Sequence, residues 1–192
     1  MRLFVAIKIP EEVKESFGGF ISEIKQLSKL PGDLKWVQPE NMHLTLKFIG
    51  ETPPENLQKL KEAIAKAIEK QRKFSFEVKG IGAFPDLEKM RVLWAGITEE
   101  SIFLTKLADK LELWTVSAGF AASDKLFVPH LTIARFNTPP QSTVVDLLRN
   151  IQGFNFGKVN AEGLYLMESH LSRSGPQYTD VEYFPFRPSH EN

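Results

Sequence analysis

The chain has 192 residues, 42% of them apolar and 25% charged, which fits a globular protein and excludes a fibrous chain or wholesale disorder. Lys plus Arg and Asp plus Glu both number 24, so the formal net charge is zero and any nucleic-acid contact must be local. There is no Cys, which removes disulfides, thiolate metal sites and cysteine nucleophiles together.

In chain order, Arg2 to Ile9 is a short apolar run that predicts a strand. Pro10, Glu11 and Glu12 then open a helix, continued by Val13, Phe17, Phe20, Ile21 and Ile24 to about Leu30. Pro31-Gly32-Asp33 reads as a turn, Leu34 to Val37 as a short strand, and His43 to Ile49 as the next strand. Pro53-Pro54-Glu55 begins a helix with Leu57, Leu60, Ile64 and Ile68 on one stripe. Phe74 to Ile81 alternates as a strand, and Gly80 to Asp86 reads as a loop. A strand at Arg91 to Ile97, a helix at Ile102 to Val116 and a short extended piece at Leu126 to Val128 follow. His130 to Phe136 is a strand, Pro139-Pro140 starts a helix to about Ile151, and Lys158 to Met167 and Tyr178 to Phe186 are the last strands. The polar stretch Glu168 to Gly175, with His170, reads as a loop, and the tail Arg187 to Asn192, with His190, as loose. The opening lacks a signal-peptide pattern and no apolar run reaches about 18 residues, so the expected location is the cytoplasm.

An internal echo stands out. His43-Leu44-Thr45-Leu46 precedes Thr52-Pro53-Pro54 and a helix; His130-Leu131-Thr132-Ile133 precedes Thr138-Pro139-Pro140 and a helix. Each helix leads to a Phe-x-Phe strand, Phe74-Ser75-Phe76 or Phe154-Asn155-Phe156, and then a further strand. Units starting near 43 and 130 thus predict two similar lobes within one domain spanning 1–192, related by a pseudo-dyad, with a cleft that receives one His from each. A monomer is expected, because such a fold closes its own cleft.

Residues two apart on a strand share a face. His43, Thr45 and Lys47 would then point one way, with Leu44, Leu46 and Phe48 opposite; His130, Thr132 and Ala134 would oppose Leu131 and Ile133. Two imidazoles and two hydroxyls converging on a small volume suit a phosphoester. One neutral imidazole accepts a proton, the other, protonated, gives one to the leaving oxygen, and the hydroxyls donate to phosphate oxygens. No metal or other cofactor is required. A purely structural role for both His is one alternative; a zinc site is another, although zinc ordinarily wants three or four protein ligands and no HExxH-type spacing occurs. Arg135 falls on the apolar side of its strand, so that either a bulge turns it into the cleft or it pairs with an acid at the sheet edge. Lys47 reads as a solvated cation. Phe48, Trp36, Trp94 and Trp114 read as core, with base stacking as a second reading for Phe48.

The sequence resembles the 2H phosphoesterase superfamily, and more closely the RNA 2′,3′-cyclic phosphodiesterases, also called 2′-5′ RNA ligases. The resemblance covers essentially the whole chain. It rests on Met1 to Ile7, on His43-Leu44-Thr45-Leu46-Lys47-Phe48-Ile49-Gly50 and on Pro129-His130-Leu131-Thr132-Ile133-Ala134-Arg135. Gly80 to Pro85, Arg91 to Gly96 and Gly175-Pro176-Gln177-Tyr178 add to it. The resemblance implies a bilobal α+β fold with antiparallel sheets lining a cleft. It implies opening of an RNA-terminal 2′,3′-cyclic phosphate to a 2′-phosphate, with weak reversible 2′-5′ ligation. It implies His43 as proton donor, His130 as proton acceptor and Arg135 as a phosphate contact beside Thr45 and Thr132. The substrates implied are RNA ends, such as those of tRNA halves, or small cyclic nucleotides.

Overall fold

The apolar run near the start becomes β1 (Arg2–Lys8), and it is buried on both faces. Leu3, Val5 and Ile7 enter the main core, while Phe4 and Ala6 join a second, smaller cluster with Met167. Such two-sided burial explains an apolar run without alternation. The computed structural model describes residues 1–27, 34–98, 101–138, 140–172 and 175–189. The turn expected at Pro31-Gly32-Asp33, Pro139 and the end of the tail with His190 lie outside the described residues.

After β1 come α1 (Glu11–Leu27), β2 (Lys35–Trp36), β3 (His43–Glu51), α2 (Leu57–Ala67), β4 (Phe74–Phe84) and β5 (Val92–Ile97). Then follow α3 (Ser101–Ser117), β6 (His130–Arg135), α4 (Ser142–Asn150), β7 (Asn155–Ala161), β8 (Gly163–Ser172) and β9 (Gly175–Pro185). A four-stranded sheet runs β3-β1-β8-β9 and a five-stranded sheet β2-β6-β5-β4-β7. Every pairing within them is antiparallel, giving the expected α+β fold with two sheets. No described helix is long and apolar enough to cross a membrane.

The helices cross between the sheets. α1 follows β1 but packs on β7 of the other sheet, where Phe17 stacks on Phe156 at 4.1 Å between ring centroids. α3 follows β5 of the five-stranded sheet but packs on β3 and α2. One continuous core therefore joins residues of both sheets, among them Leu44, Leu46, Phe76, Leu93, Leu131 and Phe156.

The sequence repeat and the sheets do not coincide. β3 opens the first copy in the four-stranded sheet, while β4 and β5 belong to the five-stranded one. Apart from β2, the order β1–α1–β3–α2 has the same element types as β5–α3–β6–α4, and in each the His strand pairs with the strand that precedes the helix.

Several boundaries differ from the sequence reading. β4 runs through Gly80 and Gly82 to Phe84, so the expected loop there is strand. Lys158 to Met167 is two strands in different sheets, divided before Gly163, where a Cβ would crowd the Phe184 carbonyl. His170 lies in β8 and pairs with Gln177 of β9, so this part of the expected loop is strand, and Leu126 to Val128 forms no strand.

Candidate active site

The ladder beside each His strand explains where its side chains go. Between β1 and β3 the partners are Lys8 with His43, Ala6 with Thr45, then Val5 with Lys47 and Phe4 with Phe48, so the register steps past Leu46. Between β5 and β6 they are Gly96 with His130, Trp94 with Thr132, then Leu93 with Ala134 and Val92 with Arg135, stepping past Ile133. Both motifs thus carry a bulge at the fourth residue. A bulge leaves two consecutive residues against one partner and reverses the alternation beyond it.

Two expectations from strict alternation are corrected by this geometry. Lys47 is not a solvated neighbour of His43: it turns into the core and is only 3% exposed. Phe48 is not core: it is 68% exposed and joins the His43 face, its ring centroid 6.0 Å from that of Phe4. Arg135 takes the same slot on β6 and is exposed on the His130 face, the bulged alternative of the sequence reading. Trp94 and Trp36 are only partly buried, and Trp114 is 39% exposed, so none of the three is fully core.

The two imidazoles are held alike. His43 Nδ1 lies 2.8 Å from the Asn41 carbonyl, and His130 Nδ1 lies 2.7 Å from the Val128 carbonyl. A carbonyl oxygen only accepts, so each Nδ1 carries the hydrogen and each Nε2 is left for chemistry. Rings fix the planes. His43 sits 4.8 Å from Phe4 and 4.8 Å, edge-on, from Tyr178. His130 sits 5.2 Å from Phe84 and 6.4 Å from Trp94. The Trp94 indole lies over Gly82, where a Cβ would collide with it, so that glycine makes room for the wall beside His130. Thr45 and Thr132 are partly exposed, and neither hydroxyl has a partner among the described residues.

Burial pushes the His43 pKa below its ordinary value of 6.5, and the bond to Asn41 opposes that only in part. Tyr178, half-buried beside His43, has its phenol pKa raised by burial, against the opposing charges of Arg135 and Arg2. Arg135 stands on the other sheet, so the charges that oppose the rise at Tyr178 come from both sheets. β3 and β6 also approach directly, with Cα atoms within 8 Å.

Behind this surface Lys47 Nζ donates to Glu112 Oε2 at 2.5 Å, to the Ala121 carbonyl at 3.2 Å and to Ser123 Oγ at 3.3 Å. Ser123 N–H donates to Glu112 Oε1 at 2.8 Å. Burial opposes ionisation of Glu112, but Lys47 and Ser123 outweigh it and hold the carboxyl below its usual range. The sequence reading missed this network, Tyr178 and Phe84. The only signal was the paired apolar residue after each threonine, which forces a choice between burying the next side chain and bulging. Among the described residues no group of three or more His, Asp or Glu converges as a metal site.

The model of the LigT-like phosphoesterase family matches residues 7–94 and 98–178. An RNA 2′,3′-cyclic phosphodiesterase of Archaeoglobus fulgidus is 35% identical over 96% of this chain and 99% of its own. One of Aquifex aeolicus is 34% identical over 90% of this chain and 97% of its own. A crystal structure of a Thermus thermophilus protein superposes with a TM-score of 0.79 at 30% identity, covering 99% of this chain and 100% of that one. Escherichia coli LigT complexed with 3′-AMP gives 0.74 at 26% identity, covering 96% and 97%.

Proposed function

Since this chain belongs to the LigT-like phosphoesterases, we propose that it opens 2′,3′-cyclic phosphates at RNA ends, as its relatives' names describe, with His43 and His130 as the acid–base pair. The observation that carries the residue assignment is the matched holding of the two imidazoles, each pinned through Nδ1 to the carbonyl two residues before it.

His130 Nε2 takes a proton from water as the water oxygen bonds to phosphorus. The bond from phosphorus to O3′ breaks, and His43 Nε2–H gives its proton to O3′. The water oxygen stays on phosphorus with its second hydrogen, and proton exchange with solvent resets the two imidazoles. The products are a 2′-phosphate and a 3′-hydroxyl. The Thr45 and Thr132 hydroxyls donate to the non-bridging oxygens, and Arg135 offers a guanidinium to the same anion. Attack and departure lie in line across phosphorus, which is what one imidazole on each wall provides. Burial holds His43 largely neutral near pH 7. A bound phosphate reverses that, because an adjacent anion favours imidazolium. The donor role is therefore switched on by the substrate. With a 5′-hydroxyl in place of water, the same in-line step forms a 2′-5′ phosphodiester as the bond to O3′ breaks, which supports weak ligation. Both histidines come from one chain, so the site needs no second copy.

The test is product analysis on an RNA ending in 2′,3′-cyclic phosphate, after exhaustive chelation. A single 2′-phosphate isomer, resistant to a 3′-specific phosphatase, is expected. A mixture of 2′- and 3′-phosphates would refute the in-line pair, and loss of activity restored by a divalent metal would refute the metal-free mechanism.

A further inference from the structure

The face of the four-stranded sheet that carries His43 and Thr45 extends well past them. Partners across a strand ladder point to the same side. Thr45 pairs with Ala6 on β1, Ala6 with Tyr165 on β8, and Tyr165 with Tyr183 on β9. One row of side chains therefore runs from Thr45 across all four strands to Tyr183. The packing agrees, since Tyr165 lies against the small cluster of Phe4, Ala6 and Met167 on that face. Strands stand about 4.8 Å apart, which puts Tyr165 about 10 Å and Tyr183 about 14 Å from Thr45 along the row.

The two tyrosines form one platform, with ring centroids 4.7 Å apart. Lys8 Nζ sits 4.5 Å from the Tyr165 centroid and is paired with Asp180 at 2.5 Å. The Tyr183 ring lies over Gly163, where a Cβ would meet it at 2.6 Å, and the residue is still 42% exposed. Neither phenol hydroxyl has a hydrogen-bond partner among the described residues. The platform adjoins the His43 end of the sheet, because Lys8, Asp180 and His43 line one cavity of about 140 Å³. The acids beside it are each offset by a cation, Glu182 by Lys61 at 2.7 Å and Glu162 by Lys73 at 2.9 Å.

We propose that Tyr183, backed by Tyr165, is a stacking platform for the base that precedes the terminal nucleotide of an RNA chain. The inference rests on the cyclic-phosphate reading above and narrows its substrate from a mononucleotide to an oligonucleotide. The terminal base is attached to the ribose that carries the cyclic phosphate, so it stays near Thr45. An aromatic surface three strands away suits the next residue of the chain instead. Every base has a π-face, so such a site selects for the presence of a preceding nucleotide and not for its identity.

Three substrates test it: a nucleoside 2′,3′-cyclic phosphate, a dinucleotide ending in one, and the same dinucleotide with its first residue abasic. The abasic form keeps the charge of the linkage and removes only the stacking base. The wild type should favour the intact dinucleotide over the nucleoside by roughly five- to a hundredfold in kcat/KM, the range of one base–aromatic stack. The abasic dinucleotide should lose most of that preference. Tyr183→Ala should collapse the ratio, and Tyr183→Phe, which keeps the ring, should preserve it. A variant that merely loosened the sheet would slow all three substrates alike and leave the ratio as it was. An abasic dinucleotide as good as the intact one, or an unchanged ratio in Tyr183→Ala, overturns the platform. Opening of all three substrates at one rate sinks the platform alone, whereas opening of none sinks the cyclic-phosphate reading itself.

Discussion

Phe48 and Arg135 occupy one and the same slot in the two duplicated strands, and both reach the cleft because a bulge precedes them. The slot is filled differently on the two walls: an exposed aromatic ring on β3, a cation on β6. The two ladders therefore match through the His and Thr positions, and the side chains differ at the exposed position after the bulge.

Replacing either imidazole should be costly. His43→Ala and His130→Ala are each expected to lower kcat by about 10²–10⁴, with the double variant less than additive because the pair acts as a unit. Steady-state rates on a cyclic-phosphate RNA provide the check, with circular dichroism to verify the fold. A near-wild-type single variant would remove that residue from the mechanism.

The bulge on β3 turns Lys47 inward to Glu112, Ala121 and Ser123. Lys47→Ala leaves the Glu112 carboxylate, whose side chain is 33% exposed, facing an emptied site. A loss of about 2 kcal/mol in unfolding free energy is expected, below the full cost of breaking a buried pair because water reaches the acid. Lys47→Met with Glu112→Gln should lose less than Lys47→Met alone. Urea midpoints measure this; an unshifted midpoint in Lys47→Ala would mean that the network adds nothing.

Two groups make the fold sensitive to acid. The pKa values of His43 and Glu112 are both held below their ordinary 6.5 and 4.5. The unfolded chain therefore takes up each proton first as the pH falls. Their contributions are complete above those ordinary values and shrink as the pH drops through the lowered ones, His43 before Glu112. Unfolding free energy should decline below about pH 6.5, and His43→Asn should remove the first part of that decline. A wild type and variant with identical pH profiles would contradict the burial of His43.

The rate itself should pass through a maximum within roughly pH 5 to 8, since one imidazole must be free and the other protonated. The two limbs belong to the coupled pair and not to single residues. A rate that climbs steadily into alkali would point to hydroxide as the nucleophile without an imidazole base.

Gly82→Ala places a methyl group against the Trp94 indole. A cost of roughly 1–3 kcal/mol from overpacking is expected. Trp94 flanks His130, so turnover should fall as well. Trp94→Phe in the same chain should recover part of both. Wild-type melting and turnover in Gly82→Ala would show that the indole can move aside freely.

The sequence by itself singled out the candidate residues of the site. Of the four histidines in the chain, two stand in the duplicated tetrapeptides His-Leu-Thr-Leu and His-Leu-Thr-Ile, and these supply the proposed acid–base pair and the hydroxyls beside it. Period two also placed His43 with Thr45 and His130 with Thr132, because no bulge intervenes before the fourth residue. Tertiary structure decided everything beyond that residue. Whether a strand bulges depends on what its neighbours and the helices behind it can accept: β3 gives Lys47 to Glu112 on α3, and β6 gives Ala134 to the core. Those partners are distant in the chain, so no local pattern could show that Phe48 is exposed. The crossing of α1 and α3 between the sheets was illegible for the same reason. Each helix shows an apolar stripe, but a stripe does not say which sheet it will cover. Only the completed packing chose β7 for one and β3 for the other, and that choice holds the two walls, and so the two imidazoles, in one frame.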